Sequence, residues 1–241
     1  MTDNPSRGVT LLEALLVILL LSLVVPGAWK VLVVQRNAGV AVAHRAEGLE
    51  TVRTVAWLLQ TEISKGRAGV DWAANGGDTL GLRAFRGQGL LDDGGRAGAS
   101  IRICYWGIRS PVPEKDSVLL LGKDGQWSAH DLLHRTEMSE DCLGGDGGTE
   151  ERWSLYPDPP PSVFAKLYER GRYHLSSRAL RYQRGHGGRQ PLTPERIEAG
   201  RFMGPKEGGT PFAWELVIED PDPRHDSTST PGSARWRGRG E

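Results

Sequence analysis

The feature that most constrains this chain is an apolar run near its start, from Val9 to Val34, broken early by one acid, Glu13. Carried as a helix, residues 11–30 would span about 30 Å at 1.5 Å per residue, enough to cross the hydrocarbon core of a bilayer. No second run of that length follows, so a multi-span membrane protein is excluded. A carboxylate inside a bilayer costs on the order of 2.5–3.5 kcal/mol, and less near the end of a span. Glu13 therefore either sits among headgroups or has a partner. Lys30 and Arg36 follow the span and Arg7 precedes it, so a bare positive-inside count opposes an orientation with the leader inside.

The 30 Lys and Arg residues equal the 30 Asp and Glu residues, which argues against a general nucleic-acid binder. Hydrophobic residues make up 38% of the chain, and 32 Gly with 15 Pro indicate many turns and loops. At 241 residues the chain suits one sizeable domain, or a smaller one with extensions. The only cysteines, Cys104 and Cys142, are too few for a disulfide-dense scaffold and form no CxxC site. If the segment after Val34 lies outside the cytoplasm, one bridge between them is expected.

Beyond Val34 the helical pattern continues. Leu49, Val52, Ala56, Leu59 and Ile63 recur at steps of three and four, which predicts one long helix from about Val9 to Ser64, stopped by Gly66. Pro26-Gly27 is expected to kink it or melt it locally. After Gly66 the periodicity shifts towards strands. Leu80–Arg83 is a weak candidate; Ile101, Ile103 and Tyr105 alternate with polar neighbours. Val118–Leu121 is an apolar run followed by a Lys123-Asp124-Gly125 turn. Tyr173–Leu175 and Leu180–Gln183 predict a hairpin around Ser176-Ser177, and Phe212–Ile218 alternates cleanly. Residues 92–98, 142–148, 157–161 and 184–188 read as loops, and residues 221–241 as a disordered tail.

The segment Gly8-Val9-Thr10-Leu11-Leu12-Glu13-Ala14-Leu15 resembles the cleavage and methylation motif of type IV prepilins and type II secretion pseudopilins. The resemblance implies cleavage between Gly8 and Val9 by prepilin peptidase, N-methylation of Val9, and Glu13 as the fifth mature residue. Most family members carry Phe where this chain has Val9. In such filaments the glutamate neutralises the terminal amine of a neighbouring subunit, so Glu13 is implied to set assembly register by charge pairing. The implied fold is α+β and pilin-like: a long N-terminal helix, membrane-spanning in its first half, packed on an antiparallel β-sheet head. Residues 1–8 are then the leader, 9–65 the helix with its span at about 11–34, 66–220 an extracytoplasmic β-rich head, and 221–241 the tail.

The bulky head points to a minor pilin or a J-type minor pseudopilin, near a filament tip, and the choice between the two stays open. Retention of Glu13 argues against the tip-most K-type pseudopilin. The implied partners are prepilin peptidase, other pilin or pseudopilin subunits and the bacterial inner membrane, with the head in the periplasm. Neither an enzyme nor a cofactor is expected, and no nucleic acid. The rival classes are a membrane-anchored metal-dependent hydrolase and an unprocessed tethered binding module.

His130 and His134 are spaced as metalloprotease ligands on one helix face, yet Asp131 stands where that chemistry needs a glutamate base, and no third ligand is signposted. Two surface histidines on a short helix is the favoured reading. Glu137, Glu140, Asp141, Asp146 and Glu150 form an acidic stretch; Glu140, Asp141 and Asp146 are weak calcium candidates without EF-hand spacing. Gly144-Gly145-Asp146-Gly147-Gly148 lacks the Lys-Ser/Thr of a phosphate loop.

Overall fold

The structure, a computed structural model, describes residues 10–74, 77–91, 100–142, 147–204, 212–220 and 232–239. The chain divides into two compact units, Met1–Leu49 with Asp220–Ser233, and Glu50–Glu219 with Ala234–Glu241.

In the first unit the described residues are chiefly the beginning of α1, Leu11–Ile63. Thr10 caps this helix. Its carbonyl accepts the first helical bond from Ala14 at 3.2 Å, and its hydroxyl accepts the Glu13 N–H at 3.3 Å. The helix runs unbroken through Pro26, so the expected local melting does not occur. Helical backbone continues even though Pro26 can donate no bond of its own.

The second unit begins with the last turns of α1. Val55, Leu59 and Ile63 are buried at one-turn spacing, while Leu49, expected on the same stripe, is 38% exposed. Burying each of these side chains contributes roughly 1.5–3 kcal/mol. They pack against β1 (Trp72–Ala74), β2 (Thr79–Leu91), the end of β7 (Ser162–Ser176), β8 (Ala179–Arg184), β10 (Ile197–Met203) and β11 (Ala213–Asp220). β10 and β11 belong to a three-stranded sheet completed by β12 (Gly232–Arg239), which lies in the stretch expected to be disordered.

The fold expected from sequence, a helix on an antiparallel β-sheet head, is corrected here. The strands close into a six-strand barrel with extra strands, and strand outweighs helix at 49% against 28%. β2 is followed round the barrel by β3 (Ser100–Gly107), β6 (Thr149–Tyr156), β5 (Trp127–Asp141), β4 (Asp116–Gly122) and β7, which pairs back onto β2. Closure follows from two long strands. β2 pairs with β7 from Thr79 to Leu90, and its other edge takes β1 at one end and β3 at the other. β7 likewise takes β4 over its first half and β8 over its second. A register shift at Phe85/Gly87 marks where β2 passes from barrel to helix-backed layer.

Two cores result. Ile101, Ile103, Tyr105, Val118, Leu120, Leu132, Trp153, Leu155, Ala165 and Leu167 form the buried cluster of the barrel. The helix-backed core holds Leu80, Leu82, Tyr173, Leu180, Phe202, Trp214 and Leu216. β9 (Arg189–Pro191) extends the sheet beyond β8. The predicted β7–β8 hairpin is present, with Ser177 and Arg178 at φ 49° and 59° forming its two-residue turn.

Candidate functional site

Membrane crossing is a matter of length and surface, and α1 satisfies both. It is the one helix among the described residues long and apolar enough to span a bilayer, and none of its most apolar window is buried by the rest of the chain. Leu11, Leu12, Leu19, Leu23 and Val24 are each more than 60% exposed. Such a surface is compatible with a single-pass membrane anchor. Glu13 sits at the third position of this helix, where the partial positive charge of the helix start favours an anion. Thr10-Leu11-Leu12-Glu13 has the spacing of a capping box, a signal legible in the sequence as Thr followed three residues on by Glu. Gly8 and Val9, the expected cleavage and methylation positions, lie outside the described residues.

Cys104 on β3 and Cys142, just past β5, form the expected disulfide, with Cα atoms 5.6 Å apart. It reaches across the end of β6, the strand between them. Gly148 belongs to this corner: a Cβ there would fall 2.6 Å from the Trp106 indole and 3.0 Å from the Cys142 sulfur.

Asp146 and the side chains of Glu140 and Asp141 lie outside the described residues. Glu150 is bound to Arg102 at 2.6 Å, and Glu137 to Arg135 at 3.1 Å. Among the described residues no group of three or more His, Cys, Asp or Glu could hold a metal. His130 and His134 stand on β5, a strand and not a helix, so four residues separate them by about 13 Å. His130 is buried between Ser128 Oγ and the Pro157 carbonyl, each at 2.7 Å, whereas His134 is exposed after a register shift in β5. The hydrolase constellation is therefore not formed.

The second unit also contains a buried ion network that the sequence did not signal. Asp116, 2% exposed, accepts from Arg109 at 2.6 and 2.8 Å, from Arg184 at 2.6 Å and from the Val112 N–H at 2.7 Å. Glu169, 4% exposed, accepts from Arg86 Nε at 2.9 Å, Tyr182 at 2.6 Å and Arg109 at 2.8 Å, and pairs with Arg184 at 2.7 Å. Arg86 continues to Glu62 of α1 at 2.7 Å. Three guanidinium groups thus meet three carboxylates where β2 and β7 leave the barrel and β8 joins β7. Gly171 makes room for it, since a Cβ there would lie 2.5 Å from the Tyr182 oxygen.

Burial opposes the charges of Asp116, Glu169 and Arg86, but their partners outweigh it. Burial alone would raise Asp116 and Glu169, yet Arg109 for the first, and Tyr182 and Arg86 for the second, hold both below the ordinary carboxylate range. Burial would lower Arg86, yet Glu62 and then Glu169 keep it above the usual guanidinium value. Burial and the Glu169 charge push the Tyr182 phenol upward. None of these four groups is left to exchange a proton near neutral pH. A cavity of about 960 Å³ borders the network, lined by Arg109, Asp116, Glu169, Tyr182 and Arg184 with the Gly185–Gly188 loop, but its carboxylates and guanidinium groups are already bound to each other. The arrangement is suited to joining strands, not to acid–base chemistry.

Comparison with protein-family models, with curated proteins and with solved structures finds no match to this chain.

Proposed function

We propose that this chain is a minor subunit of a type IV pilus or type II secretion pseudopilus, processed by prepilin peptidase and assembled through its N-terminal helix. The observation that carries the reading is the coincidence of the Gly8–Glu13 motif with a helix start whose apolar surface the chain itself leaves uncovered. In a bilayer, lipid would cover that surface before assembly, and neighbouring helices would cover it in a filament. Glu13 would then meet the amine of an adjacent subunit in a low dielectric, where an opposite charge offsets the burial cost of both.

The head belongs in this proposal on the extracytoplasmic side. A Cys104–Cys142 disulfide fits an oxidising compartment such as the periplasm. The barrel fold of the head gives no support for choosing between pilus and secretion machine, and the reading does not rest on it.

Mass spectrometry of the N-terminus of the mature protein, isolated from cells with prepilin peptidase, tests the proposal. A chain beginning at methylated Val9 is expected. A chain retaining residues 1–8 would identify an unprocessed tethered module instead, and trimming at a later bond would identify an ordinary secretory signal.

A further inference from the structure

The outer face of the barrel carries side chains that neither the helix nor the ion network uses. On β7, Ala165, Leu167 and Tyr173 point into the two cores, so Phe164, Lys166, Arg170 and Arg172 project from the opposite face, where Tyr168 lies buried beneath its neighbours. The register sets Gln88 of β2 beside Lys166, Phe85 beside Tyr168 and Arg83 beside Arg170. Trp106 of β3 lies next to Gln88, and Trp127 of β5 follows Leu121 of β4, the neighbour of Phe164.

Aromatic rings and cations interleave on this face. The Lys166 ammonium lies 5.2 Å from the Phe85 ring centre and 5.8 Å from that of Trp127. Trp127 meets Phe164 edge-on at 6.2 Å and remains 41% exposed. The Arg83 guanidinium lies 5.4 Å over Tyr168. A cleft of about 520 Å³ opens beside Lys166, bounded also by Lys65, Phe85, Gln88, Trp106 and Ile108.

Charge on this face is one-sided although the chain as a whole is balanced. Asp71 pairs with Arg83 at 3.2 Å and Asp131 with Arg170 at 3.7 Å, so these two cations are partly offset. Lys65, Lys166 and Arg172 form no ion pair among the described residues. Lys166, Arg170 and Arg172 share one strand face, where each two-residue step advances about 6.7 Å. We infer that this face binds a single-stranded polynucleotide, with phosphates on the row of cations and unstacked bases against Trp127, Phe164 and the rings of the cleft. Flat π faces alternating with cations match bases alternating with phosphates. An acidic polysaccharide would satisfy the cations but has no planar π faces to set against the rings. A duplex keeps its bases stacked inside and out of reach. The inference departs from the expectation drawn from net charge, because binding responds to local potential and not to the total. It is independent of the filament proposal.

The test is fluorescence anisotropy of the full chain in detergent micelles with a labelled oligothymidylate of about 20 residues, with near-UV circular dichroism confirming the fold of each variant. Saturable binding that weakens steeply with salt is expected. Trp127→Ala and Lys166→Glu should each weaken it about fivefold or more. Lys65→Glu, at an exposed position past the end of α1, should also weaken it and decides the matter if either strand variant misfolds. Arg152→Glu, exposed on β6 away from this face, should leave affinity unchanged. The inference is overturned by absence of saturable binding at about 50 mM salt, by an equal loss in Arg152→Glu, or by preferential binding of alginate over the oligonucleotide.

Discussion

The Tyr182 hydroxyl donates to Glu169 Oε1 at 2.6 Å, and Arg86 Nε donates to the same oxygen at 2.9 Å. Glu169 thereby joins β7 to its two neighbours, β8 and β2, at the point where the sheet divides between barrel and helix-backed layer. Removing Arg86 would strand Glu62 without the cation that binds it and leave Glu169 with Arg109 and Arg184 alone of its three guanidinium partners. Breaking a buried pair in this way typically costs about 3–5 kcal/mol. Arg86→Met should lower the thermal unfolding midpoint of the detergent-solubilised chain accordingly. Tyr182→Phe, which removes the bond to Glu169 and the one the hydroxyl accepts from Arg86 at 3.2 Å, should cost at least about 1.5–3 kcal/mol.

The same network predicts the direction of acid sensitivity. Asp116 and Glu169 have folded pKa values below their unfolded ones, so their contribution is fully present above the ordinary carboxylate range. It is lost as pH falls through that range, roughly 4, towards the depressed folded values. Glu151 has the opposite sign: burial raises its pKa despite its bond to the Trp153 indole, so acid relieves it. Glu215, held low by Arg237 and Arg201, acts in the same direction as Asp116 and Glu169, so a net loss in acid is expected. Unfolding midpoints measured from pH 7 to pH 3 should fall, and Glu151→Gln should raise the midpoint at pH 7. A midpoint that stays flat to pH 3 would contradict the assignment.

The Cys104–Cys142 bridge encloses a sequence separation of 38 residues. On the chain-entropy account, closing a loop of that length stabilises by about 4 kcal/mol. The double variant Cys104→Ser/Cys142→Ser should lose a comparable amount in urea unfolding at fixed detergent concentration. Adding a reductant should have the same effect on the natural chain and none on the variant.

What the sequence made legible was whatever repeats locally. The apolar run before Val34 and the hairpin at residues 173–183 each carry their signal within a few neighbours. The barrel was hidden because its closure depends on β2 meeting β7, strands some 80 residues apart in sequence, which no local period encodes. β6 was missed because Glu150 and Glu151 are buried in it, paired with Arg102 and Trp153, and so spoil the apolar alternation. The ion network was hidden for the same reason. Glu62, Arg86, Arg109, Asp116, Glu169 and Arg184 look like scattered surface charges until the fold gathers them. His130 and His134 misled in the other direction, since a helical spacing means nothing on a strand.

Glu13 has two physical roles open to it, and one substitution separates them. As the third helical residue, closing a capping box begun by Thr10, it stabilises the helix start, and glutamine serves there nearly as well. As the charge partner of a neighbouring amine it must be ionised, and glutamine supplies no charge. Thr10→Ala, which removes only the hydroxyl acceptor, should cost about 1 kcal/mol of helix stability and leave assembly intact. Glu13→Ala and Glu13→Gln should both be cleaved normally yet fail to enter filaments, measured as the fraction of mature chain recovered in sheared surface or overexpressed pseudopilus preparations. If Glu13→Gln assembles as the natural chain does while Glu13→Ala does not, the residue is a cap and the charge-pairing role is wrong.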